Sequence, residues 1–337
     1  MYSDVSELDF EETTLDRANL PWGLLQSEAD LYGGERWYRL QARNPAYEPG
    51  LVVARNPLGH VVGAVSTWAP RINGLDTYGR KLLESAGRHL SPRSVVYLGS
   101  VGGFRAAPNI LSTLDGRARS IVRYALMTAA AQYSEARGRT AVVPYSLEDA
   151  SSPLFDRGLL STEASIAVEG GFDDWLSKLS KNRRSSVRRE RRAVLDLGYR
   201  VEMRQLGEVI PRCAELLSNT QRKYGRSAEP TVLNRHLTRI HEIYDDDAFA
   251  FVAVREGQID SVAVVLAEGS KLFLRAAGSA IAENGFLYFN TAVYAPIEYA
   301  ARRRCTHVHL GTGSIAAKTN RGAIARELYM DIARQAD

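Results

Sequence analysis

A lysine and an arginine lie in the chain's most suggestive segment. Gly311-Thr312-Gly313-Ser314-Ile315-Ala316-Ala317-Lys318-Thr319-Asn320-Arg321-Gly322 follows a short apolar stretch, residues 306–310, that reads as a buried strand. A loop leaving the C-terminal end of a sheet is where open α/β folds place their ligands. Lys318 and Arg321 on such a loop can hold a carboxylate, a phosphate or a developing oxyanion. The bland alternative is an exposed basic loop.

Two glycine-containing segments suggest further chemistry. Leu98-Gly99-Ser100-Val101-Gly102-Gly103-Phe104 and Ala277-Gly278-Ser279-Ala280 each stand between a strand-like run and a helix-like run. Backbone N–H groups gathered before a helix bind phosphate or stabilise an oxyanion, although most such loops are only turns. Neither has the Gln/Arg-x-x-Gly-x-Gly/Ala pattern of an acetyl-CoA pyrophosphate loop.

A third feature is basic. Lys178, Lys181, Arg183, Arg184, Arg188, Arg189, Arg191 and Arg192 crowd one predicted helix, residues 175–197, with Glu190 the only acid from 178 to 192. Arg184, Arg188 and Arg191 or Arg192 share a helical face, a footprint for a polyanion or else a solvated surface. No Gly-x-Ser-x-Gly elbow or P-loop is present, and no His/Cys/Glu cluster has metal spacing. His307 and His309 share one face of a strand, but no third ligand accompanies them.

These segments need a scaffold, and the chain repeats one. In the first half, residues 51–54 and 61–68 read as strands about the turn Asn56-Pro57-Leu58-Gly59. A helix over 78–88, a strand over 94–98, a long helix over 111–137, a strand over 140–144 and a short helix over 153–158 follow. In the second half, strands over 249–255 and 259–267 flank Glu256-Gly257-Gln258. A strand over 271–276, a helix over 286–304 and a strand over 306–310 come next. Both halves run hairpin, strand, glycine loop, helix, strand.

The 337 residues suit two domains, divided near the Gly170-Gly171 pair into residues 1–165 and 166–337, the latter with its basic helix over 178–197. Hydrophobic residues are 45% and charged residues 24%, enough to bury a core in each. No apolar run spans a bilayer, and the acidic N-terminus does not resemble a secretory signal. Cys213 and Cys305 read as reduced thiols. The expected location is the cytoplasm, with no membrane contact.

The stretch Leu179-Ser180-Lys181-Asn182-Arg183-Arg184-Ser185-Ser186-Val187-Arg188-Arg189-Glu190 resembles the opening of the second GNAT-like domain in Fem-type peptidyltransferases. Leu274-Arg275-Ala276-Ala277-Gly278-Ser279, a helix ending Ile297-Glu298-Tyr299-Ala300, and Lys318-x-x-x-Gly322 continue the resemblance over residues 170–325. The resemblance implies two tandem GNAT-like α/β domains, each a mixed, mostly antiparallel sheet flanked by helices, with a cleft between them. It implies transfer of an aminoacyl group from aminoacyl-tRNA to the amine of a small molecule or peptide, a natural-product or cell-wall precursor. It also places Lys318 against substrate.

The expected catalytic residues are then Lys318, Tyr288 and Asp76. Trp68, Tyr78, Ser100, Arg275, Gly278, Ser279 and Arg321 would contact substrate, and Arg183, Arg184, Arg188 and Arg192 the tRNA phosphates. No metal or redox cofactor is implied; aminoacyl-tRNA is the co-substrate. Two alternatives stay open: an acyl-CoA-dependent N-acyltransferase using a coenzyme A thioester, and a non-catalytic RNA-binding module built on the arginine-rich helix.

Overall fold

A computed structural model describes residues 7–71, 77–85, 87, 90–147, 153–225, 229–280 and 285–334. The chain forms two compact units, residues 1–161 with 327–337, and residues 162–326.

The first unit opens with β1 (Asp9–Thr13), α1 (Leu15–Ala18), β2 (Leu25–Ser27) and α2 (Glu35–Ala42). The hairpin β3 (Tyr47–Arg55) and β4 (Val61–Pro70) follows. Asn56 makes its turn: its Oδ1 accepts from the amides of Leu58 at 3.1 Å and His60 at 2.9 Å. Then come α3 (Thr77–Ser85), β5 (Val95–Leu98), β6 (Asn109–Leu111), α4 (Gly116–Glu135), β7 (Thr140–Ser146) and the start of β8 (Phe155–Ala167).

The second unit continues from β8 into α5 (Phe172–Lys178), α6 (Lys181–Asp196), β9 (Arg200–Gln205), α7 (Leu206–Lys223) and α8 (Pro230–Tyr244). Next are β10 (Ala248–Arg255), β11 (Gln258–Glu268) and β12 (Lys271–Ser279). A helix in three parts follows: α9 (Gly285–Phe289), a π turn over Asn290–Tyr294, and α10 (Ala295–Arg302). The unit ends with β13 (His307–Gly311) and α11 (Ile315–Thr319), and β14 (Ile324–Ala333) returns to the first unit.

The pairing repeats from unit to unit. In the first, β1, β3, β4 and β5 are antiparallel neighbours, and β5 then pairs β7 in parallel. In the second, β9, β10, β11 and β12 are antiparallel neighbours, and β12 pairs β13 in parallel. A helix must cross between strands that run parallel; α4 does so in the first unit and the α9–α10 helix in the second. Each unit is therefore a mixed, mostly antiparallel α/β sheet with flanking helices, as expected.

Cores follow this layout. Val122, Ala125 and Leu126 of α4 pack on Val52, Val65, Val96 and Val143 of the first sheet. Trp68, Tyr97 and Leu51 fill another cluster of that unit. In the second unit Ala292, Val293, Tyr294 and Ile297 pack against Phe249, Phe251, Ala263 and Val265.

Three local expectations change. Residues 153–158 do not form a helix; β8 begins at Phe155. Pro153 and Gly158 imitate helix start and stop signals, but the backbone extends and pairs, with Ala164–Ala167 against β13. The single helix over 175–197 is two helices, because Ser180 ends one segment and caps the next by accepting from the Arg183 amide at 3.5 Å. The last strand also leaves the second half: Tyr329, Asp331 and Ile332 pair with β7, which would otherwise show an open edge there.

Candidate functional site

The second unit has a parted strand pair. β12 and β13 pair only from Lys271–His307 to Phe273–His309, although β12 runs on to Ser279 and β13 to Gly311. A bulge between Val264 and Val265 skips Arg275, since Leu274 pairs with Val265 and Ala276 with Val264. Such a bulge bends its strand and re-aims side chains. Beyond Phe273 the β12 edge facing β13 has no strand partner among the described residues.

Lys318 stands at the far end of β13. Its Nζ donates to the carbonyls of Leu310 at 2.5 Å and Gly311 at 3.2 Å, and the residue is 2% exposed. An ammonium carries three donors, and these two bonds to the strand use two of them. Burial pushes its pKa down to about 8. Local chain geometry explains the Lys-x-x-x-Gly spacing. Gly322 has φ of 83° and closes the turn after α11, where a Cβ would stand 2.5 Å from Leu179 Cδ2. Only glycine fits both demands.

This lysine makes stability depend on pH. It titrates near 8 when folded, against an ordinary 10.5. Between those values the unfolded chain binds more protons, so the burial penalty is fullest below pH 8 and disappears as pH rises towards 10.5. Relative to Lys318→Met, the wild type should gain roughly 3 kcal/mol across that window. Paired urea denaturations at pH 7 and pH 10.5 measure it, and a constant difference would contradict it.

Arg321 lies one turn further on and is fully engaged. Its Nη2 donates to Glu190 Oε1 at 2.7 Å, its Nε to the Tyr294 hydroxyl at 2.9 Å, and its Nη1 to the Ala317 carbonyl at 2.8 Å. Its guanidinium also lies over the Phe289 ring. The expected substrate-contacting arginine is thus a structural tie within the unit.

The basic helix has two faces. Val187, Glu190 and Val194 are buried. Arg184 points back to the end of α5, donating to the Ser177 carbonyl at 3.0 Å and to that of Leu179 at 2.5 Å. Arg191 pairs with Glu298 at 2.5 Å and lies over Phe172. Lys181, Arg183, Arg188, Arg189 and Arg192 remain exposed. Three of the four arginines expected at phosphates, Arg183, Arg188 and Arg192, are therefore on the surface, and Arg184 serves packing.

The other expected residues are dispersed. Gly278 and Ser279 belong to β12 itself. Ser279 Oγ donates to the Asp260 carbonyl at 3.1 Å, and Gly278 is a close-approach position under α7. Tyr288 is half-buried; burial, and secondarily Tyr224, raise its pKa while Arg321 opposes them. A phenol kept protonated donates a hydrogen bond and does not serve as a base at neutral pH. In the first unit Trp68 is 1% exposed, donates to Ser66 Oγ at 3.2 Å and packs on Tyr38. Ser100 is 2% exposed. Tyr78 falls in α3, its side chain outside what is described, and Asp76 lies outside the described residues.

The first unit's crossover helix does not offer an anion site. The Asp115 carboxylate caps α4, accepting from the Ala118 amide at 2.9 Å. It places negative charge where a phosphate would sit. His309 stacks on Phe273 with centroids 4.6 Å apart. Among the described residues no group of His, Cys, Asp and Glu could hold a metal ion, and no helix is long and apolar enough to cross a membrane.

Sequence reasoning missed Glu190 and Tyr294. The only acid in a run of cations was the available signal for the first; Tyr294, on the π turn, gave none. π turns recur at functional sites.

Known proteins place this architecture. The FemAB-like family, described as peptidoglycan biosynthesis/recognition, matches residues 163–330. No curated protein matches the chain. Among solved structures it is similar to FemX, with a TM-score of 0.63 and 14% identity over 90% of this chain and 92% of that one. It is also similar to a tandem GNAT protein from the clavulanic acid biosynthesis pathway, with a TM-score of 0.53 and 14% identity over 98% and 100%. A third similar structure is L-PGS from Bacillus licheniformis, with a TM-score of 0.52 and 10% identity over 82% of each chain. Residues 163–330 thus match the FemAB-like family, and the chain as a whole has the fold of FemX and of a tandem GNAT protein.

Proposed function

We propose that the protein is an acyltransferase that forms an amide bond, moving an aminoacyl group from aminoacyl-tRNA to the amine of a small molecule or peptide. The observation that carries this reading is Lys318, a buried ammonium fixed to the Leu310 and Gly311 carbonyls beside the parted strands. The family's association with peptidoglycan biosynthesis supports an acceptor of cell-wall type, and the FemX likeness fits the fold it needs.

The chemistry asks little covalent work of the protein. The neutral acceptor amine attacks the ester carbonyl, and the carbonyl oxygen becomes an oxyanion. The C–O bond to the ribose then breaks as the amide forms, and the amine's proton ends on the ribose hydroxyl. Positioning and a fixed positive charge at the oxyanion lower this barrier. Lys318 supplies that charge in its protonated form, which prevails below pH 8 or so. Above that pH it loses its proton, and transfer should decline with it.

The exposed cations of α6 favour a nucleic-acid donor over a thioester. Lys181, Arg188, Arg189 and Arg192 offer solvent-facing charge to phosphates. Arg188→Glu with Arg192→Glu should weaken tRNA binding at least about tenfold and flatten its salt dependence. Filter binding at two salt concentrations reads this, and unchanged affinity would remove α6 from the donor site.

The acyl-CoA alternative is decided by parallel reactions. Labelled aminoacyl-tRNA and labelled acyl-CoA are each offered with a pool of amines, with and without RNase. RNase-sensitive transfer from the first supports the proposal. Transfer from acyl-CoA alone would make this an N-acyltransferase of another donor.

A further inference from the structure

Glu190 breaks the charge pattern of its helix and faces inward. It is 6% exposed, and its carboxylate accepts from Arg321 through Nη2 at 2.7 Å and Nε at 3.3 Å. The Tyr294 hydroxyl donates to the same carboxylate. Arg321 carries the connection onward, holding the Ala317 carbonyl at 2.8 Å, one residue before Lys318. The helix backbone is tied as well, since Asn290 Nδ2 donates to the Glu190 carbonyl at 3.2 Å.

One helix thus presents two unlike faces. Its outer face carries Arg188 and Arg192 in solvent, and its inner face grips the turn bearing Lys318. A buried ion pair commonly stabilises no more than a well-packed apolar pair of equal volume. What it adds here is geometry: a carboxylate and a guanidinium meet in one orientation, and Tyr294 fixes that orientation from the side.

We propose that Glu190, acting through Arg321, is a positioning residue that hangs the Lys318 turn on the inner face of the cationic helix, so that one rigid element holds both the donor's phosphates and the lysine at its reacting carbonyl. This rests on the reading of Lys318 and α6 as parts of an acyl-transfer site. It gives binding energy from the remote, phosphate-bearing part of the donor a route to the reacting centre. The flexible lysine stem would not hold its nitrogen to the tolerance catalysis needs without such support.

The test uses Glu190→Gln, which keeps the shape and removes the charge, and Tyr294→Phe, which removes one hydroxyl. Two readouts separate positioning from plain stability. In steady-state transfer, Glu190→Gln should lower kcat by about 10- to 100-fold with tRNA affinity unchanged. Arg188→Glu should do the reverse, weakening affinity first. The second readout needs no substrate. Lys318 is titrated by NMR in protein carrying 13C-labelled lysine, its signal identified by loss in Lys318→Met. The wild type should titrate near 8, and Glu190→Gln should move that value by about one unit or more towards 10.5 as the turn loosens and water reaches the buried amine. Tyr294→Phe should shift it less, in the same direction. If Glu190→Gln does not fold, Tyr294→Phe alone decides.

A Lys318 titration unmoved in a folded variant would overturn the proposal, as would a parallel fall in kcat and tRNA affinity. A wild-type protein that transfers nothing would defeat the functional reading, while the titration still decides the positioning claim.

Discussion

Lys318→Met should leave the protein folded and lower kcat for amide formation by about 10²- to 10³-fold, the usual loss when one donor to a developing oxyanion is removed. The thioether fills most of the lysine's volume, so the turn after β13 keeps its packing. What disappears is the ammonium charge seated on the Leu310 and Gly311 carbonyls. Lys318→Arg should not rescue. A guanidinium is planar and larger, and its fork does not reproduce a single ammonium seated on the Leu310 and Gly311 carbonyls. Donor affinity should hold in both variants, because the exposed cations of α6 are untouched. Single-turnover rates with saturating donor separate these quantities. Near wild-type kcat in Lys318→Met would remove the lysine from the chemistry.

The largest stability effect should come from Gly278→Val. A Cβ at Gly278 would stand 2.5 Å from the Leu216 carbonyl oxygen and 2.8 Å from the Leu217 nitrogen, both backbone atoms of α7. No side-chain rotation relieves such a clash, so α7 must move off β12. Leu216 and Leu217 are themselves 0% and 4% exposed, and lifting them opens the core. The expected cost is about 3 kcal/mol or more, at the upper end for overpacking. In a unit of this size that lowers Tm by roughly 6–12 °C. Differential scanning calorimetry measures it. A Tm unchanged within a degree or two would mean that α7 and β12 do not approach as closely as described.

Gly278 also shows where sequence and structure diverge. In the sequence it stands beside Ser279 after a strand, and this pattern suggests a loop that binds an oxyanion. The reason for the glycine is a helix contributed by residues some sixty positions earlier, which no local pattern reveals. The same applies to Trp68, whose place near a strand end suggested a pocket wall; Tyr38 and Ser66 claim it for the core. Arg321 looked free because its partners, Glu190 and Tyr294, are remote in sequence.

What depends on period and turn chemistry was legible. The hairpins at Asn56 and at Glu256-Gly257 follow from turn residues, with φ of 52° and 77° at the latter pair. The repeated order of strand, helix and strand followed from apolar runs of the right length. Helix boundaries were less so: Ser180 splits a continuous basic stretch because its hydroxyl can cap, a signal masked by the surrounding charge. Lys318 was legible by type and spacing, yet its hold on two strand carbonyls was not, since that depends on how α11 folds back over β13.

The most direct test of the account is the chemical nature of the product. The protein is incubated with charged, radiolabelled tRNA and an amine pool, and the labelled small molecules are treated with hydroxylamine before separation. The account predicts a new labelled species that resists hydroxylamine, as an amide does, and that is absent when RNase is added first. Label that stays on tRNA, or is released only as free amino acid, would contradict acyl transfer from this donor.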